Sequence, residues 1–251
     1  MRHRRYLVTL FLSIFRRFRT NWQLTLAAAL IGFTTHGLLD AFTSYGTLLF
    51  WPFSDKRISW DIISIIDPLI TIPLLLGVIW TCVFNDKRGA CFALLFIYSI
   101  FLFNGYQHQR AINAINTEIK QQHLTATKVR AFPLLASSIN WYGMAMSTRF
   151  LVFDVETPLL KPAKSKLVKR YPLLLPDALP AFVKQSPTLL RDFHVFNWFS
   201  DGYLILVNKD PLIAADGRFL IRHEPDTALW GIKFLPNQQH VSNLVSLNLG
   251  Q

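Results

Sequence analysis

Three stretches in the first 107 residues are long and apolar enough to cross a bilayer, and nothing else in the chain limits its fold as strongly. Thr20–Leu39 carries no charged side chain, and the first span is predicted around it, over Trp22–Phe42. The second is predicted over Ile62–Phe84, with Asp67 inside it and Pro68 and Pro73 following; the third covers Gly89–Tyr106. Each is close to the ~20 residues that a helix rising 1.5 Å per residue needs to cross ~30 Å of hydrocarbon. Only Asn85-Asp86-Lys87-Arg88 separates the second from the third, so these two form an antiparallel hairpin. Ahead of them, the apolar run Tyr6–Phe15 has ten residues, about half a span. It starts like a signal peptide, but Arg16, Arg17 and Arg19 close it instead of a small-residue cleavage site. The expectation is a short interfacial helix, or the remainder of a span whose beginning is missing.

Charge supports a membrane setting. Charged residues make up 16% of the chain, against about 25% in an ordinary soluble protein. Residues 1–107 hold 10 Lys/Arg and 5 Asp/Glu, and residues 108–251 hold 16 and 10, so the parts carry +5 and +6 of the total +11. No basic run is interleaved with aromatics on one face, so no nucleic-acid partner is expected. Anionic lipid accounts for the basic excess more simply. If the short first run does not cross, Arg2, Arg4, Arg5, Arg16, Arg17, Arg19, Lys87 and Arg88 lie on one side, with Lys56 and Arg57 opposite. Eight against two makes the first side cytoplasmic and puts the C-terminal part outside; if the run does cross, the count is five against five and fixes no orientation. Cys82 and Cys91 read as small buried hydrophobes; they have neither CxxC spacing nor a disulfide framework around them.

Beyond the spans, residues 108–128 are polar and helical in tendency, a stalk leaving the membrane. Strand signals then dominate. Asn140–Glu156, Tyr203–Val207, Arg218–Arg222 and Trp230–Phe234 are rich in aromatic and β-branched residues, with Asp201-Gly202 and Asp216-Gly217 as turns. The proline- and lysine-broken segment 157–190 reads as a loop with one short helix near 177–185. The fold class is therefore an α-helical membrane domain, about three spans plus a short N-terminal helix over residues 1–107. A small, extracytoplasmic α+β domain follows over residues 108–251.

Candidate chemistry concentrates in residues 35–69. His36 and Asp40 are four apart in a helical segment, one turn apart on one face, and Thr43 continues that face. Asp67 falls in an apolar segment, where a carboxylate is costly unless paired, protonated or turned to a polar cavity. One imidazole with two carboxylates suits zinc, manganese or iron. A bound cation would lower the pKa of a water and supply hydroxide. Structural readings stand beside these. His36 and Asp40 could be a polar clamp between helices. Asp67 before Pro68 fits a helix N-cap. Arg57 could pair with Asp61, four residues on. Asp201, Asp216 and Arg218 are weaker candidates for substrate contact, since Asp-Gly at a strand end usually marks a plain turn. Trp141 and Trp230 read as core.

The stretch also carries an ordered pattern: His36, Asp40, Thr43, Tyr45, Gly46, Pro52, Phe53, Ser54, Arg57, Asp67 and Pro68. It resembles the membrane-bound metal-dependent hydrolases of bacteria, the YdjM/YbcI-like inner membrane proteins. The resemblance continues through Pro133, Asn140, Trp141, Phe199-Ser200-Asp201-Gly202, Asp216-Gly217-Arg218-Phe219 and Trp230-Gly231-Ile232. It departs at the beginning, where such proteins have a further His and a Pro-Asp-x-Asp motif, then His-Arg-x-x-Thr-His-Ser. His3 and Arg4 match here, whereas Leu7-Val8 replaces the Thr-His pair. An N-terminally truncated or degenerate member is the expectation.

The resemblance implies a multi-pass protein of the bacterial inner membrane with a periplasmic C-terminal domain. It implies hydrolysis by a metal-activated water, with zinc or manganese as the metal and a substrate that the sequence does not identify, lipid head groups or other phosphoesters being the natural guess. His36 and Asp40 would be ligands. Asp67 would be a third ligand or the general base, and Arg57 would hold an anionic substrate group. His3 joins the set if the short helix folds back. The missing Thr-His pair favours the alternative of a non-catalytic envelope protein whose spans anchor a binding domain.

Overall fold

The computed structural model describes residues 20–221 and 227–249. The run Tyr6–Phe15, with His3 and Arg4, therefore lies outside the described residues. Two compact units result: one takes the chain up to Gln109 together with Phe132–Trp141, the other Arg110–Ala131 and Tyr142 onward.

The first unit is mainly helical, and its last helix continues into the second unit at Arg110. Helix α1 (Trp22–Ala41) and helix α3 (Arg88–Gln121) are each long and apolar enough to cross a membrane, while α2 (Pro68–Phe84) is a shorter apolar helix of 17 residues. At 1.5 Å per residue, α1 is about 30 Å long and α2 about 26 Å. The predicted second span thus begins six residues late, because Asp67 and Pro68 start the helix there. Asp67 has extended backbone angles and accepts from the Leu69 amide at 3.0 Å, and Pro68 fills the first helical position, where a missing N–H costs nothing. Asn85, in the left-handed region at φ 51°, turns the chain into α3. The hairpin packs through small residues. A Cβ on Gly77 would come within 2.5 Å of the Ala93 Cβ and 2.8 Å of the Gly89 carbonyl oxygen. Such close approach is the usual means of helix association in lipid, where burial of apolar side chains gains little. Cys82 and Cys91 are exposed on these helices rather than buried, as are their apolar neighbours Val83, Phe84, Phe92 and Leu94. The polar stretch after Tyr106 continues α3 without a break as far as Gln121.

The second unit is rich in β-structure. One sheet has the order β1 (Lys128–Pro133), β2 (Asn140–Met146), β3 (Phe150–Glu156), β4 (Lys164–Tyr171). The other runs β5 (Leu204–Lys209), β6 (Leu212–Asp216), β8 (Thr227–Phe234), with the two-residue β7 (Leu220–Ile221) and β9 (Ser242–Asn248) also paired to β8. Two helices, α4 (Ala181–Gln185) and α5 (Pro187–Phe199), bury Val183, Leu189 and Phe193 against Leu204, Ala214, Ile232 and Phe234 of the second sheet. The predicted loop 157–190 hides strand β4, paired antiparallel to β3. Its lysines stand at a sheet edge, where charge blocks further pairing. Helix α5 is capped by Ser186, which accepts from the Leu189 amide, with Pro187 at the first helical position.

Candidate functional site

The end of α1 and the loop after it are tied together by backbone geometry. Trp60 donates its amide to the Ala41 carbonyl at 2.7 Å, and Ile62 and Ile63 both donate to Phe42. Thr47 and Ile58 exchange two backbone bonds, closing residues 48–57 into a loop. The Phe42 ring packs on Trp60 at 4.6 Å and on Phe101 of α3 at 4.8 Å. Loop 43–67 is therefore fixed to two helices rather than draped over them.

Within that frame most of the patterned residues have architectural tasks. Thr43 donates its hydroxyl to the Asp40 carbonyl at 2.7 Å and accepts from the Tyr45 amide, ending α1. Gly46 has φ +83°, a conformation that costs an L-residue about 1–2 kcal/mol. The Arg57 guanidinium donates to the carbonyls of Tyr45 (2.6 Å) and Gly46 (3.2 Å) and lies 5.4 Å from the Tyr45 ring centre. A cation aimed at two successive carbonyls holds the turn shut, and Arg57 is engaged in this way. Asp67 caps α2, as described.

His36 and Asp40 do come together: Nε2 and Oδ2 are 3.5 Å apart, on side chains 73% and 49% exposed. They form a two-member pair on an open helix face. Asp67 is the opposite case, 4% exposed, with Oδ1 on the Leu69 amide and Oδ2 buried without a hydrogen-bond partner. Sequence reasoning missed two further buried polar groups. Asn104 and Gln107 are fully buried on α3, and Asn104 donates to the Ile62 carbonyl at 3.1 Å while its Oδ1 has no partner. An amide directly after Phe101-Leu102-Phe103 was the available signal, since a polar side chain in an apolar helix needs a buried partner.

The C-terminal motifs converge as well. The Arg218 guanidinium makes a forked contact with Asp216, Nε to Oδ1 at 3.0 Å and Nη2 to Oδ2 at 2.7 Å, both side chains being at most 2% exposed. Its Nη2 also donates to the Phe199 carbonyl at 2.7 Å, so Phe199-Ser200-Asp201-Gly202 and Asp216-Gly217-Arg218-Phe219 meet through one side chain. Asp216 further caps the short turn by accepting from the Arg218 amide. Asp201 is a turn residue at φ 53° beside Lys128 and Arg130. Trp141 is core, and Trp230 is half-buried, edge-on to Phe219 at 5.0 Å.

Residues 6–111 match the family of YdjM inner membrane proteins. No curated protein and no solved structure gives a significant match. The matching region contains α1, α2 and the apolar part of α3, and α1 and α3 are each long and apolar enough to cross a membrane. A divalent metal in this region would need more donors than the pair at His36. Among the described residues, no three His, Cys, Asp or Glu side chains gather where one cation could bind them. His36 and Asp40 supply two donors, and His3 lies outside the described residues. The described residues do not complete the ligand set that the resemblance implies.

Proposed function

We propose that this chain is a multi-pass protein of the inner membrane whose YdjM-type helices hold a β-rich part at the outer face, and that it works as an anchored binding module without hydrolytic chemistry. The observation that carries this reading is the engagement of the patterned residues. Arg57 is spent on two loop carbonyls, Thr43 ends α1, and Asp67 caps α2. The guanidinium that would hold a substrate anion is turned to the loop's own carbonyls instead. The periplasmic placement rests on the distribution of Lys and Arg around the spans.

One observation favours the second reading, a metal-dependent hydrolase acting on lipid head groups or other phosphoesters. Asp67 keeps one buried carboxylate oxygen without a partner, and His36 and Asp40 stand together as a pair. Elemental analysis of the detergent-purified chain separates the two readings. The anchored-module reading expects no stoichiometric zinc or manganese. One bound metal per chain, lost in both His36→Ala and Asp40→Ala, overturns it in favour of the hydrolase.

A further inference from the structure

The turn between β3 and β4 carries two adjacent leucines that bury almost nothing. Leu159 is 69% exposed and Leu160 is 99% exposed, followed by exposed Lys161 and Lys164. Such a pair on an otherwise polar edge is costly in water unless something apolar receives it. The turn is held in place. Arg110 of α3 donates to three of its carbonyls, Thr157 at 3.4 Å, Pro158 at 2.8 Å and Lys161 at 2.6 Å. One guanidinium thus presents the leucine tip from a fixed position on the helix.

That position is informative. Arg110 follows Tyr106, the last residue of the predicted third span, by four residues, or about 6 Å along the helix axis. At its far end, β4 is fixed just past the end of the same helix, where Arg170 donates to Gln122 at 2.8 Å. Twelve residues separate Arg110 from Gln122, about 18 Å of helix, and β4 covers a similar length at about 3.3 Å per residue. The strand therefore runs beside the polar end of α3, its leucine end at Arg110 and its Arg170 end at Gln122. Lys161 and Lys164 lie at the near end, within reach of a charged surface whose field falls off over about 8 Å at physiological salt. Lys169 and Arg170 lie beyond it.

We propose that the 157–164 turn docks on the bilayer that α3 crosses, Leu159 and Leu160 entering the interface and Lys161 and Lys164 contacting anionic head groups. Apolar side chains flanked by lysines are the usual composition of an interfacial contact. The proposal rests on α3 spanning the membrane, which is part of the function proposed above.

The test uses the full chain in nanodiscs of phosphatidylethanolamine and phosphatidylglycerol, with Cys82→Ser and Cys91→Ser as background. Single cysteines from Leu160→Cys, Lys169→Cys and Tyr98→Cys carry an environment-sensitive fluorophore. Leu160 is so exposed that its replacement leaves the fold unloaded. The expected result is blue-shifted emission at 160, quenched by lipid bearing a nitroxide at the head group, and water-like, unquenched emission at 169. Lys161→Glu with Lys164→Glu, or phosphatidylcholine in place of phosphatidylglycerol, reduces the quenching at 160. Water-like emission at 160, or equal quenching at 160 and 169, overturns the docking; unchanged quenching in phosphatidylcholine overturns the anionic contact. A probe at 98, quenched by a nitroxide deep in the acyl chains, reports whether α3 spans. Failure at 160 with quenching at 98 sinks this inference alone, and failure at 98 sinks the anchored reading.

Discussion

Asp67 offers a substitution that separates a structural carboxylate from a chemical one. Its Oδ1 accepts the Leu69 amide at 3.0 Å at the start of α2, and its Oδ2 is buried and unpartnered. Asparagine is as good an N-cap as aspartate, because capping needs only an acceptor oxygen on a short side chain. Asp67→Asn keeps that oxygen and removes a charge that has no partner at Oδ2. Asp67→Ala removes the cap and leaves the Leu69 amide bare, a loss of about 1 kcal/mol for a typical N-cap. In a chain of this size that lowers the melting temperature by about 2–4 °C. The assay is thermal unfolding in detergent, followed by circular dichroism near 222 nm for the helices. The expected order is wild type and Asn together, with Ala lower. An Asn variant as unstable as Ala would mean that the charge itself is needed, and the cap reading of Asp67 would be refuted.

Two further outcomes follow from the geometry. Gly46→Ala forces an L-residue into φ +83° and should cost about 1–2 kcal/mol, read as faster proteolysis within residues 43–61 while cleavage of the C-terminal part keeps its rate. Arg218→Ala strands the Asp216 carboxylate at 0% exposure and should destabilise by about 3–5 kcal/mol, whereas Arg218→Met with Asp216→Leu should recover most of that loss. A double variant as unstable as the single one would show that the ion pair contributes more than packing.

The apolar runs made the helices legible, since a bilayer-length stretch without charge admits few alternatives. The start of α2 was legible too, because Asp67-Pro68 spells a cap, yet the hydrophobic run from Ile62 drew the expected span too far upstream. Strand β4 was hidden by its composition. Lys164, Lys166, Lys169 and Arg170 suit a solvated loop as well as a charged sheet edge, and only its pairing with β3 distinguishes them. Ser186-Pro187 announced α5, but the prolines around it masked the signal. The residues of the proposed site were readable by type and spacing. Their partners were not, because a guanidinium directed at the Tyr45 and Gly46 carbonyls depends on a loop closed by the Thr47–Ile58 pairing. The His36–Asp40 pair followed from helical periodicity alone, whereas the buried Asn104 depends on what packs against α3.

The claim that loop architecture, rather than cation binding, occupies Thr43, Arg57 and Asp67 is tested most directly by the response of the purified chain to metal. After chelation and dialysis, zinc or manganese is returned stepwise and the unfolding temperature of the helices is followed. A resident site would stabilise the fold by about 2.7 kcal/mol at a hundredfold excess over its dissociation constant. The account predicts an unfolding temperature indifferent to either metal, in the wild type and in Asp67→Asn alike. A saturable rise in the wild type that disappears in Asp67→Asn would contradict it.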